Sequence, residues 1–233
     1  SSIPDITCTY NANLNSGSST SDLTFTVNVV DLVPLANPST YTNFASVYGV
    51  TPDPNTDNNV AQITTNQSVA TVIGYKSVTL TADPDNSITP SAGDTLTWRV
   101  SYANTGGVDI ANFQITDILD SDTVLLRALV AGDITVNAAQ AAGTTPSPNT
   151  SYTGTGNNNL FASSFTLKEG GVVTVNIPVN IGSNAANGQI LQNQSTATSN
   201  ELPAAGVKTD NIDNTTTGLP TGVIPLANSL TQT

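Results

Sequence analysis

The sequence predicts an all-β fold built as β-sandwich repeats. Three observations predict it: apolar and polar residues alternate with period two, turn signals separate the alternating runs, and one run recurs later in the chain. Leu23, Phe25, Val27 and Val29 alternate with Thr24, Thr26 and Asn28. Leu96, Trp98, Val100 and Tyr102 alternate with Thr95, Thr97, Arg99 and Ser101. Val173, Val175, Ile177, Val179 and Ile181 alternate with Thr174, Asn176, Pro178 and Asn180. Successive side chains of a strand point to opposite faces, so each run presents one apolar and one polar face. Turn residues lie between the runs at Asn15-Ser16-Gly17, Asp83-Pro84-Asp85-Asn86, Ala92-Gly93-Asp94, Asn104-Thr105-Gly106-Gly107 and Glu169-Gly170-Gly171. Pro178 predicts that its strand lies at an edge, because proline cannot donate to a ladder. Helix signals are nearly absent. The one Ala- and Leu-bearing stretch, Val124 to Gln140, is interrupted by Gly132 and β-branched residues.

Composition narrows the function. Charged residues are 9 % of the 233, against about 25 % in an average soluble domain. Thr, Asn, Ser and Gly take their place, which suits an extracellular protein. Five basic residues stand against 17 acidic ones, a net charge of −12. Lys76, Arg99, Arg127, Lys168 and Lys208 are dispersed, so neither nucleic acid nor an anionic membrane surface is a partner. No apolar run is long enough for membrane insertion. The sequence holds no Met, which reads as a processed or trimmed chain. Cys8 is the sole cysteine and forms no internal disulfide. It reads as a small buried apolar residue, with a bond to another chain as the alternative.

The same census argues against an enzyme. Without His there is no Ser-His-Asp or Cys-His pair and no His-bearing zinc site. Asp117, Asp120 and Asp122 cluster and could be weighed as glycosidase carboxylates. They follow the Phe113-Ile115 run and read as solvated turn acids. No catalytic residue and no cofactor other than calcium is expected.

Domain organisation follows from the repeat. Phe25-Thr-Val-Asn-Val29 reads like Val173-Thr-Val-Asn-Ile177, Thr42 to Val47 parallels Gln192 to Ala197, and Asp57-Asn58-Asn59 parallels Asp210-Asn211. The second copy is preceded by a long first half from Gly74 that the first copy lacks. The tail Val223 to Thr231 resembles Val72 to Leu80, the opening of that half. The expected division is a smaller β unit at 1–70, a full sandwich at 71–218 with a loop insert at 138–159, and an extended arm at 219–233.

Three stretches resemble a known family. They are Gly93-Asp-Thr-Leu-Thr-Trp-Arg-Val-Ser-Tyr-Ala-Asn-Thr-Gly106, Val108-Asp-Ile-Ala-Asn-Phe-Gln-Ile-Thr-Asp117, and the repeat-ending Thr51-Pro-Asp-Pro-Asn-Thr-Asp-Asn-Asn59. They are similar to the "conserved repeat domain" (domain of unknown function 11) of bacterial surface and adhesin-like proteins. The resemblance covers most of 20–66 and 74–214. It implies immunoglobulin-like β-sandwich repeats arranged head to tail on large exported proteins, and supplies no catalytic residues. The insert at 138–159 departs from the family pattern.

Several residues are candidates for particular roles. Asp53, Asn55 and Asp57 place oxygen side chains at alternate positions, as calcium loops do, although the glycine and the final acid of such a loop are missing. Asp83-Pro84-Asp85-Asn86 is a second calcium candidate. Asn43 and Asn193 sit among apolar neighbours in strands and are expected to point inward, bonding a loop backbone. Lys76 opens the first strand of the full sandwich. A lysine so placed can be joined to an asparagine by an isopeptide bond where a carboxylate lies nearby, with Asn193 or Asn214 as partner. No motif fixes such a triad, and an exposed lysine is the expectation. Asn66, Asn149, Asn193 and Asn214 begin glycosylation sequons.

The functional expectation is an extracellular structural subunit, self-assembling head to tail into a surface filament. Residues 219–233 would add as a strand to the next copy, with Val223, Leu226 and Leu230 as buried anchors. The alternative is a stalk or adhesin module of a tandem surface protein that binds glycan or a host surface.

Overall fold

The computed structural model describes residues 6–27, 40–87, 89–186, 188–211 and 221–225. The chain divides into two compact units, Ser1–Leu32 and Val33–Thr233. In the first, residues 6–27 are exposed backbone without regular structure, apart from a turn closed by Ser18 N donating to Asn15 O. The alternation from Leu23 predicts a strand, yet residues 23–27 are in none, and Leu23, Phe25 and Val27 are exposed. A strand needs a ladder partner as well as an alternating pattern. Val29 lies outside the described residues. Cys8, expected to be buried, is exposed.

The second unit begins with a hairpin. β1 (Thr40–Ser46) and β2 (Val60–Asn66) pair antiparallel from Thr40 opposite Asn66 to Ser46 opposite Val60. A 3-10 turn at Thr56–Asn59 leads into β2. Every residue of both strands is exposed.

The sandwich is a single curled sheet of ten strands. These are β3 (Val72–Ala82), β4 (Thr95–Asn104), β5 (Ile110–Ile118), β6 (Thr123–Leu125), β7 (Ile134–Val136), β8 (Phe165–Leu167), β9 (Val172–Ile181), β10 (Ile190–Thr198), β11 (Val207–Asn211) and β12 (Thr221–Pro225). The strand order is β6-β9-β4-β3-β11-β10-β5-β8, with β7 beside β9 and β12 beside β10. β11 lies parallel to β3 and antiparallel to β10, so it joins the two faces. The alternating residues of β4 and β9 supply one wall of the core: Leu96, Trp98, Val100, Tyr102, Val173, Val175, Ile177 and Val179 are all solvent-free. Phe113 and Ile115 of β5, Leu167 of β8 and Leu191 and Ala197 of β10 face them. The Phe113 ring meets Tyr102 and Phe165 edge-on at 6.0 and 5.6 Å between centroids. Each large apolar side chain so buried stabilises the fold by about 1.5–3 kcal/mol. The fold is all-β, as expected, with one curled sheet enclosing the core.

One local reading needs correction. Pro178 does not mark an edge, since β9 has β4 on one side and β6 and β7 on the other. β6 covers Val179 to Ile181 and β7 covers Val173 to Val175, leaving Pro178 in the gap between them. Its carbonyl accepts from Leu126 N on that side. A residue's N–H and C=O point the same way in a ladder, so the missing donor also faces the gap. The stretch from Val124 to Gln140, whose helix signal Gly132 and β-branched residues interrupt, holds two short strands, a 3-10 turn at Ala131–Asp133 and one turn of α-helix, α1 (Ala138–Ala141), capped by the Asn137 side chain accepting from Gln140 N.

The insert packs against the sandwich. Asn159 bridges to Thr116, and Tyr152 is buried in the common core beside Leu160 and Phe161, which follow the insert. The segment 219–233 contains β12, which pairs antiparallel with β10 of its own chain. Val223 lies in that strand, whereas Leu226, Leu230 and Asn214 fall outside the described residues.

Candidate functional site

The strand phase that buries the apolar core also buries polar side chains on β3, β5 and β10. On β3 the inward positions are Val72, Gly74, Lys76 and Val78; on β5 they include Phe113, Ile115 and Asp117; on β10 they are Leu191, Asn193, Ser195 and Ala197. Lys76 is therefore in the middle of the protein, with 0 % of its surface exposed. The reading of an ordinary surface lysine is wrong because Lys76 keeps step with the apolar face of its strand. Asp117 is likewise a strand residue, 1 % exposed, and not a solvated turn acid. β5 carries Asp117 opposite Ser195 in the ladder with β10, while Lys76 comes across the core from β3.

Four side chains converge on the Asp117 carboxylate. Asp117 Oδ2 accepts from Lys76 Nζ and from Ser195 Oγ. Lys76 Nζ also donates to Ser195 Oγ at 2.9 Å. Asp117 Oδ1 accepts from Asn193 Nδ2 at 3.0 Å and from the Tyr152 hydroxyl at 3.1 Å. Tyr152 belongs to the insert, so that loop closes this side of the cluster. The Trp98 ring lies below the lysine, its centroid 5.5 Å from Nζ.

Electrostatics oppose a permanent charge here. Burial pushes the Lys76 amine below its ordinary range, and the neighbouring Asp117 carboxylate only partly opposes this. Burial, followed by the Asp117 charge, raises the Tyr152 hydroxyl well above its usual value, and it stays a donor. Asn193 Oδ1 is buried and has no hydrogen-bond partner. Such an orphan acceptor costs about 1–3 kcal/mol. The arrangement holds an amine, a primary amide and a carboxyl group in one dry site.

Other sequence candidates are placed differently. Asn193 points inward as expected, but it bonds a carboxylate and not a loop backbone. Asn43 is exposed. The Asn193 sequon is closed in the folded chain, whereas Asn66 is exposed. Asp53 Oδ1 accepts from Asn55 N at 2.9 Å in an exposed turn, and Asp57 sits in the following 3-10 turn. Asp83, Asp85 and Asp94 bring carboxylate oxygens within 4.8 Å of one another. Asp94 was missed in the sequence; burial raises its carboxyl above the usual range, while Ser91 N and Oγ donate to it. Asp120 and Asp122 do lie in a turn, where Asp120 accepts from Asp122 N and Gln192 N. Among the described residues no helix is long and apolar enough to cross a membrane.

The sequence matches no family model and no curated protein. Solved structures give distant likenesses. One is the RrgA Jo.In complex, at 10 % identity and a TM-score of 0.37, over 66 % of this chain and 78 % of that one. Another is a family 123 glycoside hydrolase from Clostridium perfringens, at 14 % identity and 0.32, over 67 % of this chain and 28 % of that one. Neither bears on activity at these scores.

Proposed function

We propose that the chain is an extracellular structural module, one link in a stalk or fibre on a cell-surface protein. The observation that carries this reading is that the densest chemistry in the described residues is shut inside the core. No substrate can reach Lys76, Asp117 or Asn193, so these groups serve the chain itself. The low charge and the internal repeat support a module of an exposed array. β12 already pairs with β10, so donating it to another copy would first require it to leave its own sheet. A stalk of covalently continuous sandwiches therefore fits better than assembly through the arm. A glycan or host surface is the partner such a stalk would present to, and calcium at Asp53, Asn55 and Asp57 stays a separate proposal.

The test is labelling of intact source cells with an antibody to this chain, beside electron microscopy of the purified protein. Surface labelling and single beads are expected. Labelling only after permeabilisation would sink the surface reading. Filaments that vanish when residues 219–233 are deleted would restore the arm-donating version.

A further inference from the structure

We propose that Lys76 and Asn193 react with each other after folding to form an intramolecular isopeptide bond, with Asp117 as the proton carrier. The bond would tie β3 on one face of the sandwich to β10 on the other. The inference goes beyond the surface-module reading, and its chemistry does not depend on where the protein resides.

The geometry meets each requirement of the reaction. The nucleophile and the electrophile are held on the two oxygens of a single carboxylate, which fixes their approach before reaction. The amine must be neutral to attack. Transfer of its proton to Asp117 replaces a buried ion pair with two neutral groups, the form that a dry core favours. Asp117 then carries a proton to donate. The orphaned Asn193 Oδ1 lies on the amide that Asp117 already touches, and turning that amide over would offer Oδ1 to the protonated carboxyl. Ser195 Oγ and the Tyr152 hydroxyl hold the carboxyl from either side.

The step balances without any co-reactant. The Nζ lone pair attacks Cγ of Asn193, and the carbonyl pair moves to Oδ1, where the proton from Asp117 meets it. A proton leaves Nζ and reaches Nδ2 through Asp117, the Cγ–Nδ2 bond breaks as the carbonyl re-forms, Oδ1 returns its proton to Asp117, and ammonia departs. Lys76–NH2 and Asn193–CONH2 become Lys76–NH–CO–Asn193 and NH3, and Asp117 ends as the acid it began as.

The sequence supplies an internal control. Asn43 aligns with Asn193 in the repeat, but it is exposed on β1 and its neighbour Ala45 replaces Ser195. One ammonia is therefore lost, not two.

Intact mass spectrometry of the folded wild-type chain is the test, followed by trypsin digestion after denaturation. The expected mass is lower than the sequence mass by one ammonia. Trypsin cannot cut after an acylated Lys76, so a branched product is expected, joining 1–99 to 169–208 through Lys76 and Asn193. Full mass with normal cleavage after Lys76 overturns the proposal. The same mass loss in a linear peptide, a cyclised Asn193, also overturns it. Asp117→Asn and Lys76→Met should each return the full mass, and circular dichroism reports whether they fold. A branch that persists in folded Asp117→Asn removes Asp117 from the mechanism. None of these outcomes alters the result of surface labelling.

Discussion

The β1–β2 hairpin and strand β10 of the sandwich are written in the same sequence idiom, and they end in opposite environments. Asn43 and Asn193 sit at matching places in the repeat, each in a strand with an antiparallel partner. Asn193 is 2 % exposed and bonded to a buried carboxylate, whereas every residue of β1 and β2 is exposed. The difference lies across the sheet. β10 faces β3, β4 and the insert, which supply Lys76, Tyr102 and Tyr152. Among the described residues nothing covers either face of the hairpin. Pairing makes a strand, but only a second layer makes a core, and with it an environment able to change the chemistry of a lysine.

The comparison is broken most directly at Asp117. Asp117→Ala takes away the buried acceptor of Ser195 Oγ and of the Tyr152 hydroxyl, each stranded donor costing about 1–3 kcal/mol, and it also blocks the Lys76–Asn193 bond. Urea unfolding should show that loss, while Asn43→Ala should change stability by less than about 0.5 kcal/mol. Equal effects at the two sites would mean that the hairpin is as enclosed as the sandwich.

A second, smaller effect is expected where the two faces meet. A Cβ on Gly74 would lie 2.3 Å from Cε1 of Tyr102. The ring cannot swing aside freely, because its hydroxyl reaches the Ser195 carbonyl at 2.9 Å and the Val207 carbonyl at 3.0 Å. Gly74→Ala should cost about 1–3 kcal/mol. Tyr102→Phe releases the ring's anchor, so the double variant should cost less than the sum of the two. Simple additivity would show that the hydroxyl does not clamp the ring.

Much of this was legible in the sequence, and the rest had a physical reason to hide. Trp98, Tyr102 and the Val173 to Ile181 run announced their faces by alternation. Lys76, Asp117, Asn193 and Ser195 carried the same signal, since each falls on the apolar beat of its strand. Reading residue type before phase hid Lys76 and Asp117, since a lysine and an aspartate look like surface, whereas Asn193 was placed inward. Phase could place each on an inner face, but only the curl of the sheet, through β11 between β3 and β10, brings three separate strands to one point. Tyr152 was invisible for another reason, because it lies in an insert without periodicity. Pro178 misled because two short strands can share one edge and leave a gap between them.

Acidity separates the sandwich's rim from its core. Arg127 donates to both oxygens of Asp133 at 2.6 and 2.7 Å, and Val130 N donates at 2.8 Å. The Arg127 hydrogen bonds hold the Asp133 carboxyl below its usual range, despite some opposing burial. A depressed folded pKa adds stability above the unfolded value of about 3.9, lost as pH falls through the folded pKa. Arg127 is 47 % exposed, so the gain is only on the order of 1 kcal/mol. Wild type should exceed Asp133→Asn by that amount at neutral pH, and the two should converge in acid. A gap that persists in acid would mean that the carboxylate charge is not its source.

The smallest effect tests the hairpin itself. Phe44 and Ile63 are each 65 % exposed, so Phe44→Ser and Ile63→Thr remove little area that folding takes from water. Each should shift the urea midpoint of the isolated chain by less than about 0.5 kcal/mol equivalent. A large apolar side chain that was covered would instead cost about 2–5 kcal/mol on truncation. A loss of that size, appearing only at high protein concentration, would show another copy laid against the hairpin. The same loss at every concentration would place the cover within the chain, and the contrast between the two regions would then be one of partner identity, not of burial.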